Sequence, residues 1–232
     1  MRPLILISND DGFQAKGINS LIEMVRPLAD VLVCAPDGPR SGQSCAFSVT
    51  TPLVLTPCRE EEGVAVWACN GTPVDCVKMA LDNLCPRKPD MVIGGINHGD
   101  NASVNTHYSG TMGVTLEGCM KYIPSVAFSL CSSRIDADFS PLEPYVRQIT
   151  ERVLREGLPE GVCLNVNFPN VSTEEIKGIK ITRQTDGYWY EDMEERVDPY
   201  GRKYYWLTGY LVDTDQQPDT CEWALKHNYI SV

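Results

Sequence analysis

The stretch that most constrains the fold is Leu4-Ile5-Leu6-Ile7, an apolar run that breaks into Ser8-Asn9-Asp10-Asp11-Gly12. A short apolar run of this kind reads as a buried parallel strand. Gly12 lets the backbone turn towards a helix. In open α/β sheets, ligands lie outside the carboxyl ends of the strands. Two adjacent carboxylates placed there, with no basic residue beside them, repel each other and invite a cation. Hard oxygen donors favour Mg²⁺, Mn²⁺ or Ca²⁺ over zinc. The same residues also read as a polar turn that caps a helix. On this stretch alone both readings stand.

Beyond the turn, Ile18, Leu21, Ile22, Val25 and Leu28 fall on one helical face, and Pro27 predicts an early end to that helix. Val31 to Ala35 reads as a second strand, with the polar loop Pro36 to Ser44 at its carboxyl end. Residues 46–66 read as short extended pieces. Thr72-Pro73-Val74-Asp75 is a helix start, with Thr72 as N-cap, Pro73 at the first position and Asp75 as the capping-box acid. A well-capped structural helix is a sufficient account of that motif.

Met91 to Gly94 reads as a third buried strand, followed by a long polar stretch from Gly95 to Gly110. A loop of that length is uncommon in a compact domain unless it has a function. A helix is expected to begin near Thr111. Ser109-Gly110-Thr111 then lies at a helix N-terminus, where free N–H groups and the helix dipole favour an anion. The plainer alternative is that Ser109 or Thr111 serves only as N-cap. Strands over residues 124–130 and 163–169, with a helix over 145–154 between them, complete an alternating series. The expected fold is therefore α/β, a doubly wound and mostly parallel sheet.

The character changes after Pro169. Residues 178–182 alternate like a strand. Tyr188-Trp189-Tyr190 and Tyr204-Tyr205-Trp206 flank Asp198-Pro199-Tyr200-Gly201, which reads as a long β-hairpin. Aromatic pairing across the strands would cover part of that surface. A subunit contact is the stronger use, because aromatics are enriched in interface cores. The expected organisation is a core over 1–169 and a C-terminal extension over 170–232 that serves oligomerisation. A short acidic helix over 219–227 precedes the end.

With 232 residues and 43% hydrophobic content, the chain is long enough to bury a large core. A formal net charge of −11 argues against a nucleic-acid polymer or an anionic membrane as partner. It leaves a small phosphate ester open, since one bound divalent cation reverses the local field. The ten cysteines form no Cys-x-x-Cys pair and read as small buried hydrophobes in a reducing compartment. The chain enters a strand with no leader pattern, and no apolar stretch is long enough to span a bilayer. A cytoplasmic location is expected.

In these places the sequence resembles the SurE (survival protein E) family of nucleotidases. The resemblance is carried by Ser8 to Gly12, by Ala35-Pro36-Asp37 with Arg40-Ser41-Gly42, and by Gly71-Thr72-Pro73 with Asp75-Cys76-Val77. It continues through Gly95-Ile96-Asn97 with Gly99 and Asn101, then Tyr108 to Thr111 with Glu117-Gly118, and Leu164 to Pro169. The ordered set runs through most of the chain. It implies a Rossmann-like domain whose C-terminal extension builds a homodimer or homotetramer. It also implies a metal-dependent phosphomonoesterase acting on nucleoside monophosphates, a 5′-nucleotidase, with 3′-nucleotidase and exopolyphosphatase activity as open additions. The family's metal ligands carry over to Asp10, Asp11, Ser41 and Asn97, holding one divalent cation, Mg²⁺ or Mn²⁺.

The chemistry expected from this set is attack on phosphorus by a metal-activated water. Ser109, Gly110 and Thr111 would hold the phosphate. Asn9 and Asn101 would donate to its non-bridging oxygens. Asp10 as a covalent nucleophile is a second route, although a carboxylate tied to a metal is a poorer nucleophile. His98 and His107 are candidate acids for the leaving oxygen but read more simply as loop residues, and Arg40 either touches phosphate or braces its loop. Two other function classes compete. A haloacid-dehalogenase-like phosphatase wants two acids separated by one residue. A non-catalytic nucleotide sensor would need no activated nucleophile. The chain departs from the family at Ala102 to His107, where glycine and acidic residues are usual. It also ends at Val232, where relatives continue with Thr-Pro-Leu.

Overall fold

In the computed structural model, which describes residues 2–232, strand β1 (Leu4–Ser8) is buried along its whole length. Its side chains divide by parity, as a pleated strand requires. Ile5 and Ile7 enter one core, and Leu4 and Leu6 enter another on the opposite face. The next strand, β2 (Asp30–Pro36), repeats the division, with Val31 and Val33 on the first side and Leu32 and Cys34 on the second. Each fully buried Ile or Leu contributes about 1.5–3 kcal/mol. Both faces of the sheet are therefore covered by helices.

Helix α1 (Lys16–Val25) follows β1 and packs into the first core through Ile18, Leu21 and Ile22. It stops two residues before Pro27, which leaves Leu28 beyond the helix rather than on its face. The extended pieces resolve into an antiparallel pair, β3 (Leu55–Glu61) and β4 (Val64–Cys69), with β4 laid parallel to β2. Helix α2 (Pro73–Asn83) carries the full capping box: Thr72 accepts from the Asp75 N–H, and Asp75 accepts from the Thr72 N–H. The Asp75 carboxylate does more than cap. It also accepts from the Ser48 N–H at 2.9 Å and the Ser48 hydroxyl at 2.7 Å, so it anchors the otherwise irregular segment over residues 41–54.

Strand β5 (Met91–His98) runs four residues further than its apolar core implied. Helix α3 (Gly110–Met120), β6 (Ser125–Leu130), α4 (Glu143–Glu156) and β7 (Leu164–Phe168) then complete the alternation. Past Pro169 come β8 (Ile179–Lys180), the hairpin β9 (Gly187–Val197) and β10 (Lys203–Asp213), α5 (Cys221–Lys226) and β11 (Ile230–Ser231). The main sheet has the order β3-β4-β2-β1-β5-β6-β7-β11-β8. The six strands from β4 to β7 are all parallel. The chain thus finishes its own sheet edge, with β11 antiparallel to β7 and β8 parallel to β11.

The order reverses at β1, which lies between β2 and β5. That reversal opens a crevice at the carboxyl ends of these strands. The hairpin stands apart as a separate two-stranded sheet. Its register sets Tyr204, Tyr205 and Trp206 opposite Arg196, Glu195 and Glu194. The two aromatic triplets therefore do not cover one another. Tyr190 stacks on Tyr210 at 5.3 Å, but exposure still ranges from 37% at Trp189 to 86% at Tyr200. The cysteines are all unpaired thiols; Cys34, Cys69, Cys76 and Cys221 are buried as expected, whereas Cys45 and Cys58 are exposed. Among the described residues no helix is long and apolar enough to cross a membrane.

Candidate active site at the carboxyl ends of β1, β2 and β5

The turn after β1 is built by Asn9. Gly12 has φ 98°, a left-handed conformation suited to glycine, and its two backbone groups need partners. Asn9 supplies both: Oδ1 accepts from the Gly12 N–H at 3.1 Å and Nδ2 donates to the Gly12 carbonyl at 3.0 Å. Asn9 is fully buried. This differs from the expected donor to phosphate. The amide is engaged in holding the turn that presents the two aspartates.

Asp10 is 4% exposed, and its carboxylate is gripped by the start of α3. Oδ1 accepts from the Thr111 hydroxyl at 2.7 Å, and Oδ2 accepts from the Gly110 N–H at 3.1 Å. Residue 110 must be glycine for this approach, because a Cβ there would sit 2.7 Å from the Asp10 Cβ. Ser109 is the N-cap, its Oγ accepting from the Met112 N–H at 3.0 Å. The anion at this helix N-terminus is thus Asp10 itself. Gly110 and Thr111, expected to hold phosphate, here also hold this carboxylate. Burial pushes the Asp10 carboxyl above its usual range and the neighbouring Asp11 charge adds to this, against the lowering effect of the Thr111 and Gly110 bonds.

Asp11 faces the other way. Its Oδ2 accepts from the His98 N–H at 3.1 Å and lies 3.2 Å from His98 Nδ1. A carboxylate only accepts, so Nδ1 carries the proton in this contact. The imidazole is braced edge-on against Phe139, with ring centres 4.9 Å apart. His98 is not the loop residue that the sequence suggests. It lies on β5, and its backbone and ring both orient Asp11. The signal that would have found it is the continuation of β5 through the polar residues Asn97 and His98.

Backbone contacts bring the remaining candidates alongside. The Asp10 carbonyl accepts from the Arg40 N–H at 2.7 Å, so Ser41 follows directly on a residue pinned to the turn. Arg40 braces its loop: its guanidinium bonds Asp37 at 2.8 Å and reaches the carbonyl oxygens of Pro39 and Asn70. Ser41 is exposed on a turn. Asn97 directly precedes His98, the anchor of Asp11. Its Nδ2 donates to the Gly99 carbonyl at 2.8 Å and towards Asn101 Oδ1 at 3.4 Å. Asn101 is 2% exposed and its Nδ2 donates to Ser129 Oγ, so it locks the loop where a phosphate donor was expected. His107 lies further out, its Nε2 3.3 Å from Gln184 Nε2.

The donor set suits a hard cation. Among the described residues no lysine or arginine pairs with Asp10 or Asp11, and nothing donates to Asp11 Oδ1 or Asn97 Oδ1. Nor do three or more His, Cys, Asp or Glu side chains gather as a soft-metal site would need. A cation here would depend on carboxylate, amide and hydroxyl oxygens together.

The family model described as survival protein SurE matches residues 5–191. The chain belongs to the SurE family. It is 54% identical over 232 residues to the 5′-nucleotidase SurE of Phocaeicola vulgatus, covering all of this chain and 90% of that protein. It is 48% identical to the 5′-nucleotidase SurE of Bacteroides fragilis, with the same coverage of both chains. The crystal structure of SurE from Aquifex aeolicus superposes with a TM-score of 0.82 at 38% identity, over 99% of this chain and 91% of that one. The SurE fold is therefore common to both, and the turn after β1 lies within the matched region.

Proposed function

We propose that this chain is a metal-dependent 5′-nucleotidase that hydrolyses nucleoside monophosphates to nucleoside and phosphate, with Asp10, Asp11, Ser41 and Asn97 as ion ligands. One observation carries the reading. Two adjacent carboxylates, one dry and one partly exposed, sit at the sheet's switch point without a lysine or arginine partner, and on the neighbouring strand β5 the Asn97 amide oxygen has no donor. When bound, one divalent cation, Mg²⁺ or Mn²⁺, supplies charge neutralisation for the phosphate and lowers the pKa of a coordinated water.

The chain's own residues fix the geometry. Thr111 and Gly110 hold Asp10 still, and His98 holds Asp11. As an ion ligand Asp10 is a poorer nucleophile, which favours water as the attacking group. Adjacent acids, rather than acids one residue apart, disfavour a haloacid-dehalogenase-like phosphoenzyme. A cleft of about 610 Å³ opens beside the site between Gly42, Tyr108, Trp189 and Leu207, a volume that suits a nucleoside. Trp189 is held in place by a 2.8 Å bond from its Nε1 to Asn105. We assign residues 1–169 as the catalytic core and 170–232 as the extension, whose exposed aromatics support a homodimer or homotetramer. The ten unpaired thiols fit a cytoplasmic location, and the net charge of −11 fits a partner other than nucleic acid or an anionic membrane surface.

Phosphate release from AMP and GMP, crossed with EDTA, Mg²⁺ and Mn²⁺, tests the reading. EDTA is expected to abolish release and one of the two ions to restore it. Nucleotide binding with no turnover under any divalent ion would instead identify a sensor.

A further inference from the structure

We propose that Asn165 and Asn167 on β7 are positioning residues that orient the Asn97 amide so that its oxygen is left for the ion. This rests on the ion reading above. Asn97, Ser129 and Asn167 stand in register across β5, β6 and β7, and the row continues to Ser231 on β11. Ser129, Asn167 and Ser231 are each at most 2% exposed. Polar groups buried this deeply must find partners.

The loop residue Asn101 folds over this row and supplies two references that cannot flip. Its backbone N–H donates to Asn167 Oδ1 at 2.7 Å, and its carbonyl accepts from Asn165 Nδ2 at 2.9 Å. A backbone N–H only donates and a carbonyl only accepts, so both asparagine amides have one permitted orientation. Asn167 Nδ2 then donates to Asn165 Oδ1 at 3.0 Å, closing the ring. These bonds place the Asn101 backbone over the row, from where its Nδ2 donates to Ser129 Oγ and its Oδ1 faces Asn97 Nδ2 at 3.4 Å. Asn97 Nδ2 also donates to the Gly99 carbonyl. The amide nitrogen is used inward, and Oδ1 is the atom that remains. The order of donors runs from β7 through Asn101 to a candidate ion ligand on β5.

The test is the Mn²⁺ affinity of the full chain, measured by calorimetry for Asn167→Leu and Asn165→Leu. Leucine keeps much of the side-chain bulk and removes every hydrogen bond. The dissociation constant is expected to rise about tenfold, the size typical of groups that orient a metal ligand. The kcat measured at saturating Mn²⁺ should stay close to wild type. A folded variant with unchanged Mn²⁺ affinity overturns the proposal, as does a fall in kcat at saturating ion with affinity intact. Asn165→Ser, at a half-buried position, serves the same test if Asn167→Leu fails to fold. If the wild-type chain binds no Mn²⁺, the ion reading itself fails and this inference with it. Wild-type binding with unaltered variants sinks this inference alone.

Discussion

The carboxyl end of the sheet and the projecting hairpin solve opposite problems. At the sheet end, polar side chains are buried and nearly every donor has a partner. Asp10, Asn9, Asn101 and Asn167 are each at most 4% exposed, yet all are bonded within the chain. On the hairpin, aromatic side chains are exposed, and Tyr204, Tyr205 and Trp206 lie opposite charged neighbours that do not cover them. In the first region the proposed ion ligands Asp11 and Asn97 each keep an oxygen without a donor. The second leaves its aromatic side chains open to solvent in a single copy of the chain. Buried polar groups that bond one another hold side chains in fixed orientations, and exposed aromatic area is the kind of surface enriched in interface cores.

The largest effect expected from this contrast is at Asp10. Asp10→Asn keeps the shape and the Thr111 hydroxyl bond but removes the charge that a cation needs. Turnover of AMP is expected to fall by about a thousandfold or more, while far-UV circular dichroism stays native. The variant gives up one of the two acceptors that face Thr111 and Gly110, so a small loss of stability, without loss of the fold, is expected beside the loss of rate. A near-normal rate would remove Asp10 from the mechanism.

A middle effect is expected at Asp75, where a helix cap also holds the segment that follows the Ser41 turn. Burial alone would raise its carboxyl, but bonds from Ser48 and Thr72 outweigh it, and the group lies below its ordinary value of 3.8. A lowered carboxylate adds stability at pH values above the unfolded value. That stability is lost as pH falls from about 4 through the lower folded value. Asp75→Ala is expected to cost about 2 kcal/mol in urea unfolding at neutral pH, from the lost cap and the unpaired Ser48 donors. The difference from wild type should shrink as pH falls below about 4. A difference that stays constant down to pH 2 would show that the charge does no such work.

The sequence made one kind of information plain and concealed another. The capping box at Thr72 and Asp75, the Pro27 stop and the turn after β1 were legible because each is a local rule with a residue signature. So were the mostly parallel sheet and the hairpin, which follow from period-two and alternating patterns. The partners of the polar residues were not legible. Ser109 to Thr111 has the features of an anion site, and nothing local says that the anion is Asp10, a hundred residues earlier. His98 meets Asp11 only when β1 and β5 are laid side by side, and Asn165 and Asn167 meet Asn101 only when β6 and β7 are added. The second duty of Asp75 depends likewise on Ser48 arriving from an irregular segment. Hydrogen-bond choice among several polar side chains is a tertiary property, so pattern reasoning names the candidates without assigning their partners.

The smallest effect on the isolated chain, and the sharpest test of the contrast, lies on one face of the hairpin. Side chains alternate along each strand, and residues directly opposite share a face. The register therefore places Tyr188, Tyr190, Tyr204, Trp206 and Tyr210 together on one side. Trp189 and Leu207 lie on the other, the side that lines the cleft beside the active site. Trp206→Ser with Tyr204→Ser removes aromatic area that is already exposed, 59% and 42% respectively. Monomer stability should then change by no more than about 0.5 kcal/mol. Sedimentation velocity should nevertheless show the assembled species lost, since that face has no other cover. Tyr205→Ser, on the cleft side and bonded only to Glu195, should leave the assembled mass unchanged. Equal loss of assembly from both faces would make the hairpin a general adhesive rather than a one-sided interface. Retention of the wild-type mass after the double substitution would place the subunit contact elsewhere and leave these aromatics unexplained.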